Sequence, residues 1–414
     1  MDPYTRSSIF LTVAVLVAYV NHRFIRMQTT IAVMTASLLI SVLLIIIQHF
    51  GIIDISDMTS SWIHRSEFQE LLLKGMLSFL LFAGALTIDL NAFKRQKWEI
   101  GILASVSTIA STLLVGISIY YLLPLIGFQV PFIHCMLFGA LISPTDPIAV
   151  LATFKQLGAP KNLQACIAGE SLFNDGVGIV LFTTIFELAF QHHEISFASV
   201  SLLFLKQAVG GLAYGLLLGL FTSWLIKPIS DSKIIILLTL GMVSGGYTFA
   251  LWLGISGPLA MVMFGIIFGA KMRKYLTENE QDTVKTFWEL IDEVLNAVLF
   301  LLIGFEIITI NANWQHFVAI VMAIPLVLFV RLITVAIPMK AIEFKKKHAP
   351  RTIAILTWGG LRGGLALALA MSLPTSKNLD LLVSITYGIV AFSVIVQGLS
   401  VKYLTASPNK PATN

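Results

Sequence analysis

The sequence predicts an all-α polytopic membrane protein: thirteen transmembrane helices in two inverted six-helix repeats, with helices 5 and 12 discontinuous and crossing at mid-membrane. Three observations carry this expectation. Of 414 residues, 57% are hydrophobic and only 12% charged, about half the charge of an ordinary soluble domain, and the mean hydropathy is +0.87. Several apolar runs, such as Ser232 to Leu253 and Asp380 to Leu399, exceed the roughly 18 to 20 residues that cross a bilayer core as helix. Lys and Arg gather on one side of these runs. Disorder, fibre and soluble enzyme are thereby excluded, and the runs lack the alternating ten-residue pattern of an outer-membrane barrel.

The spans are expected at 7–20, 29–49, 71–88, 99–123, 131–154, 164–190, 200–224, 232–253, 255–270, 287–309, 315–339, 351–373 and 380–401. Twenty of the 27 basic residues then lie in loops or at span ends on one side, and only Arg6, Arg65 and Lys377 on the other. The remaining four, Lys74, Lys206, Arg331 and Arg362, fall inside spans. Basic residues accumulate in short cytoplasmic loops, so the N-terminus is expected outside and the C-terminus in the cytoplasm. A missed or invented span would flip every later loop and spoil this split. The net charge of +5 and pI near 9.1 therefore encode topology, and no nucleic-acid partner is expected. The first span lacks a basic leader and a small-residue cleavage site, so it is not read as a signal peptide. The longest loops, Asp54 to Glu70 and Lys271 to Thr286, are short tethers, which leaves any function to the bundle itself in the cell (inner) membrane. Cys135 and Cys166 are too few for a metal cage or disulfide framework and read as small buried hydrophobes.

Two spans look broken. The fifth carries Pro144-Thr-Asp-Pro147 near its middle, and two prolines three apart remove backbone donors and clash with the preceding turn. The twelfth reads Trp358-Gly-Gly-Leu-Arg-Gly-Gly-Leu365, where each glycine weakens a helix by about 1 kcal/mol relative to Ala. Residues 1–195 form a first repeat, 196–230 a connecting seventh helix, 231–404 an inverted second repeat and 405–414 a short tail. Each break then falls in the fifth helix of its repeat. Matched interruptions in inverted halves point to a transporter's binding site, because unwound backbone at that depth must line a cavity.

The sixth span holds Gly169-Glu-Ser-Leu-Phe-Asn-Asp-Gly176. At about 100° per residue, Glu170, Ser171, Asn174 and Asp175 share one polar face, and Asp175 lies roughly 18 Å from the helix start, near the midplane. A carboxylate at that depth needs a cavity and a ligand or partner. Arg331 in span 11 and Arg362 are the available counter-charges. Glu170, Asp175 and Asp146 against two arginines leave one acid free to exchange its partner. Desolvation favours a protonated carboxyl and a bound cation favours the ionised one, so proton and cation compete for that group. Sodium wants hard oxygen ligands: a carboxylate, the hydroxyls of Ser171 and Thr145, and a carbonyl freed by the break, that of Pro144.

These residues resemble the monovalent cation:proton antiporters of the NhaP and sodium/proton exchanger type. The matching pieces are Thr145-Asp146-Pro147, Gly169 to Gly176, Arg331, Gly359 to Gly364 and, in span 3, Phe79 to Asp89. The resemblance implies Asp175 as the carboxylate that binds proton and cation, with Ser171 and Thr145 as further ligands of a monovalent cation. It implies that Glu170 pairs with Arg331 and is oriented by Asn174, while Asp146 and Arg362 offset half-helix dipoles. Asn174, where other antiporters carry a second Asp, looks like the electroneutral branch exchanging one sodium for one proton. A homodimer is implied too, with helices 4–6 and 11–13 as a moving core and helices 1–3 and 7–10 as a dimerisation unit.

The expected function is secondary exchange of sodium, or lithium, for protons, serving pH homeostasis, with no cofactor and no enzymatic step. Potassium or mixed-ion exchange is the near rival. A cation channel is the rival from another class, and an intramembrane enzyme lacks a His-Glu-x-x-His motif or a convincing Ser/His arrangement. Glu289, Asp292 and Glu293 could form a cation funnel, but a solvated helix N-terminus is the favoured reading. His192 and His193 read as an exposed outer loop rather than a pH sensor.

Overall fold

A computed structural model describes residues 3–49, 75–156, 160–190, 197–306, 314–343, 351–374 and 376–405. The loop from Asp54 to Glu70, Arg65, Lys74, the pair His192 and His193, and the tail 406–414 lie outside the described residues. Every regular element among the described residues is helical. In chain order these are α1 (Pro3–Val20), α2 (Thr29–His49), α3 (Leu77–Leu86), α4 (Leu90–Arg95), α5 (Lys97–Gly101), α6 (Thr108–Leu122), α7 (Phe132–Ile142), α8 (Ile148–Gln156) and α9 (Lys161–Phe190). They continue with α10 (Phe197–Leu225), α11 (Ser232–Trp252), α12 (Gly257–Tyr275), α13 (Glu278–Glu306), α14 (Trp314–Glu343), α15 (Thr352–Trp358), α16 (Gly364–Met371), α17 (Lys377–Phe392) and α18 (Gly398–Thr405). Wider π turns at Ile102–Ser107 and Ser393–Gln397 join α5 to α6 and α17 to α18.

Among the described residues, seven helical stretches are long and apolar enough to cross a membrane, including Lys97–Ile126, Lys161–Phe190, Trp314–Ile342 and Asn378–Leu404. Several other expected spans fall short of that length and composition for visible reasons. Proline and glycine split 131–154 and 351–373 into half-helices, and Lys271, Arg273 and Lys274 charge the last turns of α12.

The chain divides into two compact units. Unit 1 comprises residues 1–90, 175–311 and 368–374; unit 2 comprises 91–174, 312–367 and 375–414. Unit 1 is packed with large side chains against small ones. The Phe82 ring lies 4.6 Å from that of Phe264 and 4.7 Å from Trp288. Trp288 is fully buried and gives its indole N–H to Thr239 at 3.2 Å. α12 presses against α3 and α10 through glycines. A Cβ at Gly265 would stand 2.7 Å from the Phe82 carbonyl, and one at Gly215 would overlap the Ala260 carbonyl. Small residues at helix contacts let backbones approach, which suits a solvent that offers no hydrophobic drive between helices.

Unit 2 is threaded with buried polar groups. The Ser107 hydroxyl donates to the Thr334 carbonyl at 2.6 Å, tying the start of α6 to α14. Ser143, at the end of α7, donates to Ser111 of α6 at 3.0 Å. These bonds fix α7 and α14 against α6, and with them the two breaks.

Candidate functional site

Ser143 to Pro147 leave the helix between α7 and α8, and Gly359 to Gly363 leave it between α15 and α16. The two interruptions meet: the Asp146 amide donates to the Leu361 carbonyl at 2.7 Å. Prolines and glycines open the backbone, and each open segment supplies partners for the other, as buried peptide groups require.

The side chains complete that exchange. The Arg362 guanidinium donates to the carbonyls of Ser143 and, at 3.0 Å, Pro144. Positive charge is thus delivered to the C-terminal end of α7. The Asp146 carboxylate accepts from the Ile148 amide at 3.0 Å and places negative charge at the N-terminus of α8. Both signs match the helix dipoles. Arg362 was expected to meet one of the acids. Among the described residues no carboxylate lies within ion-pair distance of it, because carbonyls released by the break take its donors. The Pro144 carbonyl, expected as a cation ligand, already accepts from Arg362.

Room for larger side chains is absent here. A Cβ on Gly363 would overlap the Asp146 carboxylate, and one on Gly360 would stand 2.7 Å from Arg331 Nε. These glycines serve close approach and not only helix breaking.

α9 presents its polar face within the same unit up to Asn174. Glu170 and Arg331 form an ion pair at 2.6 Å, with side chains 3% and 6% exposed, and Arg331 also donates to the Leu356 carbonyl at 3.1 Å. Two charges this deep are tolerable only together. Asn174 directs both ends of its amide at Thr145, donating to its hydroxyl at 2.8 Å and accepting from its amide at 3.3 Å. The resemblance gave Asn174 the task of orienting Glu170; the bonds it makes hold the break in α7–α8 to α9. Ser171 is buried, and Asp175, four residues on and therefore on the same helical face, is half-buried. Carboxylate and hydroxyl oxygens are hard donors of the kind that a monovalent cation takes.

A cavity of about 10 Å³, the size of a single water, is lined by Val327, Arg331, Gly360, Arg362, Phe392 and Gln397. Two guanidinium groups at its wall make it a poor place for a cation. The acidic trio Glu289, Asp292 and Glu293 belongs to unit 1 and lies inside α13, about three turns past its start at Glu278, and so not at the helix N-terminus that was expected. There Glu293 accepts from Thr29 at 3.3 Å and Asp292 from Asn296 at 3.2 Å.

Sequence reasoning missed two residues of span 13. The Ser393 hydroxyl accepts from the Arg362 amide at 2.8 Å, and the Gln397 amide donates to the Trp358 carbonyl at 3.0 Å, closing the end of α15. The available signal was two polar residues four apart in an otherwise apolar run.

Comparison with known proteins meets this geometry. The family model described as "Sodium/hydrogen exchanger, transmembrane" matches residues 11–406. The chain is 42% identical over 397 residues to the Na(+)/H(+) antiporter NhaP of Pseudomonas aeruginosa, covering 95% of this chain and 94% of that one. It is 36% identical over 351 residues to the Na(+)/H(+) antiporter NhaH of Halobacillus dabanensis, covering 83% and 84% of the two chains. Its fold is that of the sodium proton antiporter MjNhaP1 from Methanocaldococcus jannaschii at pH 8, with a TM-score of 0.76, 19% identity and 96% of each chain covered. A multi-pass membrane chain, matched over nearly its whole length by cation/proton antiporters, this protein belongs to the sodium/hydrogen exchanger family.

Proposed function

We propose that this protein exchanges sodium, or lithium, for protons electroneutrally, one for one, by alternating access around Asp175. The observation that carries the reading is the pair of interrupted helices tied through the Asp146 amide and the Leu361 carbonyl. Such breaks supply polar backbone at membrane depth, and Asn174 ties α9 to one of them. Asp175 binds either a proton or, with Ser171 and Thr145, a cation. Either occupant neutralises the carboxylate, so a loaded element crosses an apolar barrier that an empty one does not. Arg362 and Asp146 hold the breaks, and the pair Glu170 and Arg331 keeps α9 and α14 in register.

The reading extends to thirteen spans in two inverted repeats, the N-terminus outside, a homodimer in the cell membrane and a part in pH homeostasis. The division into two compact units supports a moving core and a separate dimerisation unit. The relatives named as Na(+)/H(+) antiporters support sodium as the cation.

Purified protein in liposomes tests this. An imposed sodium gradient should drive proton movement that is insensitive to clamping the voltage. Voltage-dependent coupled flux would remove the one-to-one stoichiometry, a stronger response to potassium would replace sodium, and uncoupled flux would make the protein a channel. Asp175→Asn should abolish exchange while the purified protein keeps its elution profile and Tm. Coupled transport retained in that variant rejects Asp175 as the exchanging group.

A further inference from the structure

The bond that joins the two interruptions has a second anchor on span 13. The Leu361 carbonyl accepts from the Asp146 amide at 2.7 Å. The Arg362 amide, which belongs to the same peptide unit, donates to Ser393 Oγ at 2.8 Å. A trans peptide is planar and points its C=O and N–H in opposite directions, so these bonds are not independent: a plane turned away from Ser393 is turned away from Asp146 as well. The segment is held at its other end by the same face of span 13, where Gln397 donates to the Trp358 carbonyl at 3.0 Å and Ser400 accepts from the Trp358 indole at 2.9 Å. Ser393 and Gln397 are fully buried. Ordinary helix packing does not use hydroxyls this way. Ser384 and Thr386, earlier in the same span, donate to the Asp380 and Leu382 carbonyls of their own helix. Ser393 opens the π turn, with the Gly398 amide reaching back five residues to its carbonyl, and such turns recur at functional sites.

Thr145 stands between the two residues that this segment holds. Before it, the Pro144 carbonyl accepts from the Arg362 guanidinium; after it, the Asp146 amide donates to Leu361. Asn174 holds the Thr145 hydroxyl and amide from α9. A shift of the 361–362 peptide therefore moves the backbone on both sides of Thr145. We infer that Ser393 is a positioning residue for the cation site: it touches no ion, but by fixing this peptide plane it sets where the Thr145 hydroxyl stands, with Gln397 steadying the same segment from its other end. The inference rests on the proposed exchange with Thr145 as a cation ligand. It assigns Ser393 to cation affinity and not to the proton affinity of Asp175.

The test measures sodium-driven proton movement by the full chain in liposomes, with KM for sodium and kcat taken across a pH series. Ser393→Ala should raise KM about fivefold, the effect of one lost hydrogen bond, with kcat changed by less than about twofold. Proton and cation compete for one carboxylate, so KM climbs as pH falls, and the pH at which it begins to climb reports the proton affinity. That pH should not move, and the fivefold factor should hold throughout the series. Gln397→Met should raise KM by a smaller factor, about twofold. Thr386→Val removes a fully buried hydroxyl of the same span that bonds only its own helix, and should leave KM unaltered whatever it does to Tm. An unchanged KM in Ser393→Ala, a fall in kcat alone, a moved pH midpoint, or an equal rise in Thr386→Val overturns the inference. If Ser393→Ala does not insert, Gln397→Met decides by the same criteria. Unaltered protein that shows no sodium-driven proton movement fails the exchange reading itself, before any variant is compared, and the inference with it.

Discussion

Unit 1 and unit 2 are both helical and both apolar in bulk, yet they are held together differently. The centre of unit 1 is volume: Trp288 among Phe82, Phe264 and Phe268, with glycines where α12 meets α3 and α10. The centre of unit 2 is polarity: an ion pair, a second guanidinium on two carbonyls, and hydroxyls joining helices. Packing tolerates many substitutions of similar size. Buried charge tolerates only removal of both partners together. A unit built on charge therefore has few acceptable neighbours in sequence, and it is the unit that contains the interrupted helices.

The sharpest way to break this comparison is Arg331→Ala, which strands Glu170 and should cost about 3–5 kcal/mol of stability. Changing Glu170 to Gln and Arg331 to Met together should recover most of that Tm. If the double variant is as unstable as the single one, charge is not what holds unit 2. In unit 1, Trp288→Ala should cost a similar or slightly smaller ~3–5 kcal/mol, as a cavity rather than a charge defect. Trp288→Phe should recover a large part, and a Tm unchanged by Trp288→Ala would remove the packing account. Gly363→Ala forces a methyl onto Asp146 and should cost about 1–3 kcal/mol. It should also slow exchange, because the two breaks must separate slightly to admit it. The smallest effect belongs to the surface of unit 1. Asp282→Asn removes a partner of Lys285 that is 77% exposed, and Tm should move by less than the equivalent of about 0.5 kcal/mol.

Much of this was legible in the sequence because proline and glycine act locally. Pro144, Pro147 and the four glycines around Arg362 mark both interruptions by residue type alone, and a buried Glu170 and Arg331 demand partners wherever they lie. The crossing of the two interrupted spans was expected, but a span list cannot supply the individual bonds between them. The bond from Asp146 to Leu361 joins residues whose neighbourhood depends on how α7 and α15 approach, which periodicity does not encode. Arg362 misled for a physical reason: counting acids against arginines treats side chains as the only partners, but a broken helix frees carbonyls that serve equally well. Asn174 was assigned through the resemblance to a neighbour on its own helix, Glu170. Its amide reaches a backbone amide and a hydroxyl across a helix contact, and no single-helix projection contains them. Ser393 and Gln397 were overlooked because two polar residues in an apolar span read as ordinary packing until the break they close is known.

The carbonyls of Ser143 and Pro144 find their donor in Arg362, more than two hundred residues later in the chain. At about 5–20 residues per second of synthesis, they wait roughly 10–45 s for it. During that interval the first interrupted segment is in or near the bilayer with nothing of its own to close it. Until then water or another part of the chain must meet those carbonyls, because an unpaired peptide group in hydrocarbon costs several kcal/mol.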